Sequence, residues 1–191
     1  MSKPDTRPHA LAPGMLLVAT PALLDPNFAD TVVMLIDTDD GALGVVLNRP
    51  SDVLVEEVLP PWQPLVAEPG VLFRGGPVAT DGALGLAELR DPDDAPVGYR
   101  PVTQTWGLLD LDTPVELVAG SLTGLRIFAG YAGWSAGQLE AEVAEDSWDV
   151  VPGFSGDVFD RRTEGLWKSV LRRQPGERAW RSTRPLDPEL N

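Results

Sequence analysis

Short apolar segments separated by turn-forming residues mark the first part of the chain. The segments "MLLVA" (15–19), "TVVMLI" (31–36) and "ALGVVLN" (42–48) are almost wholly apolar or β-branched, which favours strands buried on both faces. The turn formers "DTDDG" separate the second segment from the third, so these two are predicted to form a β-hairpin. Glycine falls at the fifth position of "DTDDG" rather than the sixth, as an EF-hand calcium loop needs, so we interpret it as a turn.

The same pattern predicts five further strands. They are "VLFR" (71–74), which runs into a glycine pair, then "GALGLAEL" (82–89), "TWGLLDLD" (105–112), 125–131 and 148–151. The prolines and acids of "RDPDDAPVGYRP" (90–101) predict a loop.

Two helices are predicted in the middle of the chain. Ser51 or Asp52 is expected to cap a short one, which a Pro-Pro pair then stops. The second spans 113–124 and starts at a capping box in which Thr113 and Glu116 lie three residues apart.

Two more amphipathic helices are predicted in the last third. Ser135 and Gln138 form another capping box, after which Leu139 and Val143 face the core. The residues expected to face water are Glu140, Glu142 and Glu145. The last helix begins at 163–164 and carries its apolar side chains between 166 and 171, while 174–191 is predicted to be irregular.

Strands and helices do not alternate regularly, and neither GxGxxG nor GxxxxGKS follows a strand. We therefore predict an α+β fold with a mixed, partly antiparallel sheet and about four helices around it. One domain is expected at residues 14–174, with a flexible leader at 1–13 and an irregular C-terminal extension at 175–191.

The charge is unevenly distributed. The chain carries −14, but eight of its 15 Lys and Arg and four of its 29 acids lie in 161–191, so residues 1–160 carry −18. An acidic body repels a phosphate backbone, and direct nucleic-acid binding is therefore not expected. The basic C-terminal segment is interpreted as the solvated face of a terminal helix, with contact to an acidic partner as the alternative.

Reactive and metal-binding side chains are scarce. The chain has no cysteine and a single histidine, His9, which leaves no basis for a thiol nucleophile, a Ser-His-Asp triad or a multi-histidine metal site. We predict no metal site and no cofactor, and we assign no catalytic residue. The first residues lack the apolar core of a secretory signal and no apolar run approaches the ~20 residues that span a bilayer, so a cytoplasmic protein is expected.

Three stretches together resemble one bacterial family. They are "LLVATPALLDPNFADTVVMLIDTDDGALGVVLNRP" (16–50), "FRGGPV" (73–78) and "FAGYAGWSAGQLEAEVAEDSWDVVP" (128–152). Their order and spacing are similar to those of the uncharacterised YqgE/AlgH family, also called UPF0301 or DUF179, over roughly residues 14–174. The resemblance implies a cytosolic single-domain α+β protein whose curved sheet forms a pseudo-barrel. The family has no established catalytic residues that could be assigned to this chain. One member is linked to gene regulation, so the resemblance also suggests a transcriptional regulator.

Three predicted strand ends suggest one binding pocket. The nine candidate residues are Asn48, Arg49, Arg74, Gly75, Gly76, Tyr131, Trp134, Ser135 and Gln138. If they converge, the glycine pair and the helix start after Ser135 offer N–H groups to a phosphate or carboxylate, and the two arginines offer positive charge. The alternative is structural, with glycines at bends, polar side chains capping turns, arginines paired with acids, and aromatic residues in the core.

Three functions follow as hypotheses. The preferred one is a non-enzymatic regulatory or interaction protein that works through an unknown protein partner or a small anionic ligand. The second is an enzyme or sensor acting on a nucleotide or phosphorylated metabolite at the same arginines. The third is a transcriptional regulator. It would act through protein contacts rather than by binding DNA directly, because the sequence shows no helix-turn-helix pattern.

Overall fold

The computed structural model describes residues 10–183, except the side chain of Glu177. Ten strands form one curved sheet that does not close on itself. The strands are β1 (Met15–Ala19), β2 (Val32–Asp37), β3 (Ala42–Val46), β4 (Pro50–Leu54), β5 (Val71–Arg74), β6 (Val78–Leu89), β7 (Tyr99–Pro101), β8 (Trp106–Leu109), β9 (Leu122–Trp134) and β10 (Trp148–Pro152). The α-helices in this range are α1 (Val55–Val58), α2 (Gln138–Ala144), α3 (Ser155–Phe159), α4 (Leu166–Arg172) and α5 (Glu177–Arg181).

The main path of the sheet runs β10-β1-β2-β3-β9-β6-β8-β7, and every neighbouring pair on it is antiparallel. The strand β5 lies off this path, pairing antiparallel with β4 and parallel with β9. The α+β fold with a mixed sheet is therefore confirmed, as are the hairpin of β2 and β3 and the curvature that the family resemblance implies. The 13-residue strand β9 joins the two parts of the sheet, because its last three residues pair with β3 and the rest with β6.

Apolar side chains are packed against both faces of the first strands. Along β1, Leu16 and Val18 belong to one buried cluster, whereas Leu17 and Ala19 belong to another. Helix α4 packs its apolar side chains into the first cluster, and Leu139 of α2 packs into the second. This two-sided burial is the physical reason why the sequence of β1 is uniformly apolar.

A buried arginine lies in the middle of β9. Arg126 is 1% exposed, and its Nη1 and Nη2 donate to the carbonyl oxygens of Val158 (2.6 Å), Asp160 (3.1 Å) and Glu68 (2.7 Å). Its guanidinium lies 4.3 Å from the centre of the Phe73 ring. Burial lowers the pKa of Arg126 to about 10, and the nearby charge of Asp160 opposes that shift. Arg126 thus ties two segments, at Glu68 and at 158–160, to the central strand.

The predicted helix at 113–124 is wrong. Two short 3-10 helices, Val115–Leu117 and Ala119–Ser121, occupy that segment, and no side-chain hydrogen bond caps either one. Leu122 already belongs to β9, where it pairs with Leu89 of β6. Pairing in the sheet overrides the helical spacing of the apolar residues.

The predicted caps near residue 51 are also wrong. Residues 50–54 form β4, and the four-residue helix α1 follows Leu54 without a side-chain cap. Ser51 instead donates its hydroxyl to the Leu72 carbonyl of β5, at 2.7 Å. The predicted end of this helix is confirmed, because α1 ends at Val58, just before the Pro-Pro pair. The pair itself starts a separate 3-10 helix, Pro60–Leu65.

Two elements lie where a loop or irregular chain was predicted. They are β7 within the predicted loop at 90–101 and helix α5 in the predicted irregular segment. Helix α3 lies in a stretch for which no element was predicted. Residues 1–9 of the predicted leader and residues 184–191 of the predicted extension lie outside the described residues.

Candidate anion-binding cleft

An open cleft of about 540 Å³ lies where β3, β4, β5 and β9 meet. It contains both arginines of the predicted site. Its lining residues are Asn27, Val46, Arg49, Ser51, Asp52, Val53, Leu72, Arg74, Gly76, Pro77, Thr80 and Ala129. We call it the arginine cleft.

Arg49 lies in this cleft in a fixed orientation. Its Nη1 donates to the carbonyl oxygen of Pro26 and its Nη2 to that of Ala29, each at 3.0 Å. A guanidinium has five N–H donors, so three are left for other acceptors. Because carbonyl oxygens hold the side chain and no carboxylate pairs with it within residues 10–183, its positive charge is not neutralised there.

Arg74 lies at the end of β5 and is exposed. Its backbone N–H donates to the carbonyl of Arg49, the residue before β4, at 2.8 Å, which holds the two arginine backbones side by side. In the part of the chain that the structure describes, its guanidinium forms no ion pair. Asp52 is the one carboxylate among the cleft-lining residues, so two positive charges face one negative charge.

The glycine pair brings two backbones into contact. The Gly75 N–H donates to the Ala129 carbonyl at 2.9 Å, and its carbonyl accepts from Val46 at 2.8 Å. A Cβ at Gly75 would collide with the Gly130 carbonyl, and one at Gly76 with the backbone of Tyr131. The expected role of Gly75 as an N–H donor to an anion is therefore wrong, because β9 already accepts that hydrogen bond. Close approach to β9 explains the glycines instead.

Asn48 connects the start of β2 to the loop that precedes it. Its Oδ1 accepts from the Val32 N–H at 3.0 Å, and its Nδ2 donates to the Asp30 carbonyl at 2.9 Å. Together with Arg49, this side chain fixes the loop at 25–31 that forms one wall of the arginine cleft. Asn48 itself is not a lining residue.

Two other predicted site residues line a different cleft of about 510 Å³. Tyr131 and Trp134 lie there beside the acidic turn that connects β2 and β3. Three aspartates also line it, namely Asp37, Asp39 and Asp40. An anion is repelled by such a lining, so these aromatic residues do not extend the arginine cleft.

Trp134 is a core residue, 6% exposed, as the structural alternative proposed. Its ring lies 5.9 Å from that of Phe28 and 6.0 Å from that of Trp148. The indole N–H groups of Trp134 and Trp148 donate to Oε2 of Glu142, at 3.0 and 2.9 Å. The expectation that Glu142 only faces water is therefore wrong, since it connects α2 to two strands.

Ser135 and Gln138 contact each other and line neither cleft. The Oε1 of Gln138 accepts from the Ser135 N–H at 3.1 Å, which is one half of the predicted capping box. The other half is absent, because helix α2 begins after Gly137 and the Ser135 hydroxyl also donates to Gln138. The helix start after Ser135 therefore does not contribute to the arginine cleft.

The basic C-terminal segment pairs with acids of the same chain. Arg173 forms a bidentate pair with Asp157, which is 5% exposed, at 2.7 and 2.5 Å. Arg178 and Arg181 both donate to Asp149 of β10, at 3.0 and 2.7 Å. The interpretation of this segment as a solvated face is wrong for these three arginines.

Sequence reasoning missed several polar residues of the cleft. Ser51 and Asp52 had been assigned to a helix cap, and Asn27 and Thr80 carried no signal. The polar residues Ser51 and Asp52 fit a helix cap and a strand on a cleft wall equally well when only the local sequence is considered. Only the pairing of β4 with β5 distinguishes the two.

No helix within residues 10–183 is both long and apolar enough to cross a membrane. In the same range, no cluster of three or more His, Cys, Asp and Glu side chains is placed to hold a metal ion.

Comparison with known proteins identifies relatives over nearly the whole chain. The family model DUF179, described as AlgH-like, matches residues 16–179. A UPF0301 protein of Streptomyces avermitilis is 54% identical over 182 residues, covering 93% of this chain and 94% of the relative. A UPF0301 protein of Thermobifida fusca is 52% identical over 190 residues, covering 93% and 94%.

Two solved structures share the fold. A crystal structure of a Corynebacterium diphtheriae protein matches with a TM-score of 0.88 and 31% identity, covering 93% of this chain and 95% of the other. The solution structure of the AlgH protein from Pseudomonas aeruginosa matches with a TM-score of 0.63 and 30% identity, covering 92% and 99%. By sequence and by fold, the chain belongs to the AlgH-like family, DUF179 or UPF0301.

Proposed function

We propose that this protein is a non-enzymatic cytoplasmic recognition protein that binds a small anion in the arginine cleft and passes that signal to a protein partner. One observation carries the proposal: Arg49 and Arg74 line the same open cleft, and neither is paired with a carboxylate within residues 10–183. Residues 1–160 contain only seven basic residues against 25 acids, so two unpaired guanidinium groups in one cleft are a local exception to the charge of the chain. Guanidinium groups bind carboxylates and phosphates through paired N–H donors.

The enzyme hypothesis receives less support from the same cleft. The Ser51 hydroxyl donates to the Leu72 carbonyl and accepts from the Val53 N–H at 3.2 Å, so it is not held by a base. Among the described lining residues, none is a histidine, a lysine or a cysteine. The cleft is therefore better suited to binding than to acid–base or nucleophilic chemistry.

The acidic body also favours a partner other than nucleic acid. A duplex would meet net negative charge over most of the surface, and neutralising phosphates supplies most of the affinity in such complexes. If this protein regulates transcription, we propose that it does so through protein contacts.

A thermal-shift panel tests the proposal. Inorganic phosphate, nucleotides and simple carboxylates are added to the full chain, and a bound anion at a hundred times its Kd is expected to stabilise the fold by about 2.7 kcal/mol. The matched variants are Arg74→Ala, expected to lose the shift, and Arg162→Ala, an 86% exposed arginine outside the cleft, expected to keep it. If both variants respond like the original chain, the anion binds elsewhere and the proposal is wrong.

A further inference from the structure

We infer that the ligand of the arginine cleft is an organic monoanion with an apolar body, namely a carboxylate carried on an alkyl chain or ring. This inference rests on the proposed function and names its ligand class. It follows from three features of the cleft, which are its charge, its lining and its size.

The charge of the cleft suits one negative charge better than several. Arg49 and Arg74 face it together with Asp52, which leaves one net positive charge. Two of the N–H groups of Arg49 already donate to the carbonyls of Pro26 and Ala29. Residues 1–160, with the cleft included, carry −18. A polyphosphate would gain little from the cleft and would be repelled by the surface around it.

The remaining N–H groups of Arg49 match a carboxylate. The two carbonyl contacts hold its guanidinium plane in one orientation, so little side-chain freedom is lost when a planar group binds. A planar carboxylate accepts two parallel N–H bonds from such a group.

Apolar side chains form much of the cleft wall. They are Val46, Val53, Leu72, Pro77 and Ala129. Val53 is 40% exposed although it belongs to a strand, so it offers apolar surface that the fold leaves uncovered. A bare inorganic anion would leave this surface in water, whereas an alkyl or ring body would bury it.

The size of the cleft also favours a ligand larger than a bare anion. A volume of about 540 Å³ falls within the range of ~300–1,000 Å³ that small-molecule sites occupy. An acetate or phosphate ion fills only a small part of it. The cleft therefore has room for a body beyond the anionic group.

The test is a calorimetric titration of the full chain with acetate, butyrate, hexanoate and octanoate, and with inorganic phosphate and ATP for comparison. Burying one methylene favours binding by ~0.8 kcal/mol, so affinity is expected to rise about fourfold per methylene and about fifteenfold from butyrate to hexanoate. Phosphate and ATP are expected to bind more weakly than hexanoate.

Matched variants separate the apolar wall from the charge. Val53→Asn is expected to reduce the gain in affinity per methylene. Val97→Asn, at a residue that is 65% exposed and does not line the cleft, is expected to leave that gain unchanged. Asp52→Asn removes the negative charge and is expected to raise phosphate affinity relative to that of hexanoate. Arg74→Ala is expected to weaken every carboxylate in the series.

The outcomes distinguish this inference from the proposal beneath it. A flat carboxylate series together with phosphate or ATP binding that Arg74→Ala removes would overturn the inference and keep the proposed function. If Arg74→Ala leaves the binding of every probe unchanged, or if no probe binds, both are wrong.

Discussion

Two sets of arginines in this acidic chain have opposite surroundings. Arg126 inside the sheet and three arginines of the C-terminal helices donate to carbonyls or carboxylates that the fold places against them. Those three are Arg173, Arg178 and Arg181. In the arginine cleft, Arg74 is exposed. Arg49 is held by carbonyl oxygens, as Arg126 is, but it is only half-buried and lines the open cleft. The fold therefore uses the first set for its own stability and leaves the charge of the second set free for a ligand.

The contrast teaches that composition alone does not show what an arginine does. With 25 acids against seven basic residues in 1–160, each arginine of that part has many potential partners. Arg49 lies just before β4 and Arg74 at the end of β5, and neither pairs with an acid within residues 10–183. Both line a cleft whose wall holds one carboxylate and several apolar side chains.

The largest effect is expected from Arg126→Met. The substitution removes the donors to three carbonyl oxygens in the interior, and unsatisfied buried acceptors cost roughly 1–3 kcal/mol each. Relief from burying a charge offsets part of this cost, so we expect the free energy of unfolding to fall by about 3 kcal/mol. Chemical denaturation measures it, and an unchanged midpoint would show that Arg126 does not hold these segments.

A smaller loss is expected from Asp149→Asn. This change leaves Arg178 and Arg181 without the carboxylate that both contact, at a position 9% exposed. Because both arginines are partly exposed, we expect a loss of about 1–2 kcal/mol rather than the full cost of breaking a buried pair. The matched control is Asp146→Asn, whose contact with Arg181 is 3.5 Å long and whose side chain is 72% exposed, and which is expected to have little effect. Equal losses in the two variants would contradict the assignment of Asp149.

Arg74→Ala is expected to change stability by no more than about 0.5 kcal/mol, since exposed residues without partners contribute little. The same change is expected to abolish the thermal shift produced by a bound carboxylate. Arg49→Ala serves as the contrasting variant, because it loses two hydrogen bonds to the 25–31 loop and is expected to lower stability as well as binding. A stability loss from Arg74→Ala as large as that from Asp149→Asn would place Arg74 in the structural set.

The smallest effect concerns a half-buried tyrosine, Tyr99, that does not line the cleft. Burial, with the charge of Glu88 adding to it, raises the pKa of Tyr99 to about 12 from an ordinary value of 10.0. A raised folded-state pKa contributes stability that is complete below pH 10 and is lost as the pH rises through about 12. Ultraviolet titration of Tyr131→Phe, which leaves Tyr99 as the only tyrosine, is expected to show this late ionisation. Ionisation near pH 10 in the folded protein would contradict it.

The sequence predicts the parts of the fold that depend on local pattern. The hairpin of β2 and β3, the strand β1 and the helix α4 follow from apolar runs, turn formers and helical spacing. It also identifies Arg49, Arg74 and Gly76 as neighbours, because each lies at or just after a strand end. The same reasoning does not reach long-range pairing. Leu122 pairs with Leu89 and Ser51 bonds to Leu72, and both contacts replace local structures that the sequence favours.

The rest of the candidate site could not be predicted for the same reason. Tyr131 and Trp134 follow Gly130 in β9, where φ is +72°. They border the acidic cleft rather than the arginine cleft, and Trp134 is itself part of the core. The direction of the side chains after a bend depends on how the whole sheet is paired, so the local sequence does not determine it. The prediction that three strand ends form one pocket is therefore wrong for the strand end at 130–138.

The most direct test of the central claim is an NMR titration of the arginine side-chain Nε–H signals with hexanoate. We expect the signals of Arg49 and Arg74 to shift together and to saturate with one Kd, while those of Arg126 and Arg173 stay in place. Saturable shifts at Arg173, with Arg49 and Arg74 unmoved, would contradict it, as would shifts that grow linearly at every exposed arginine.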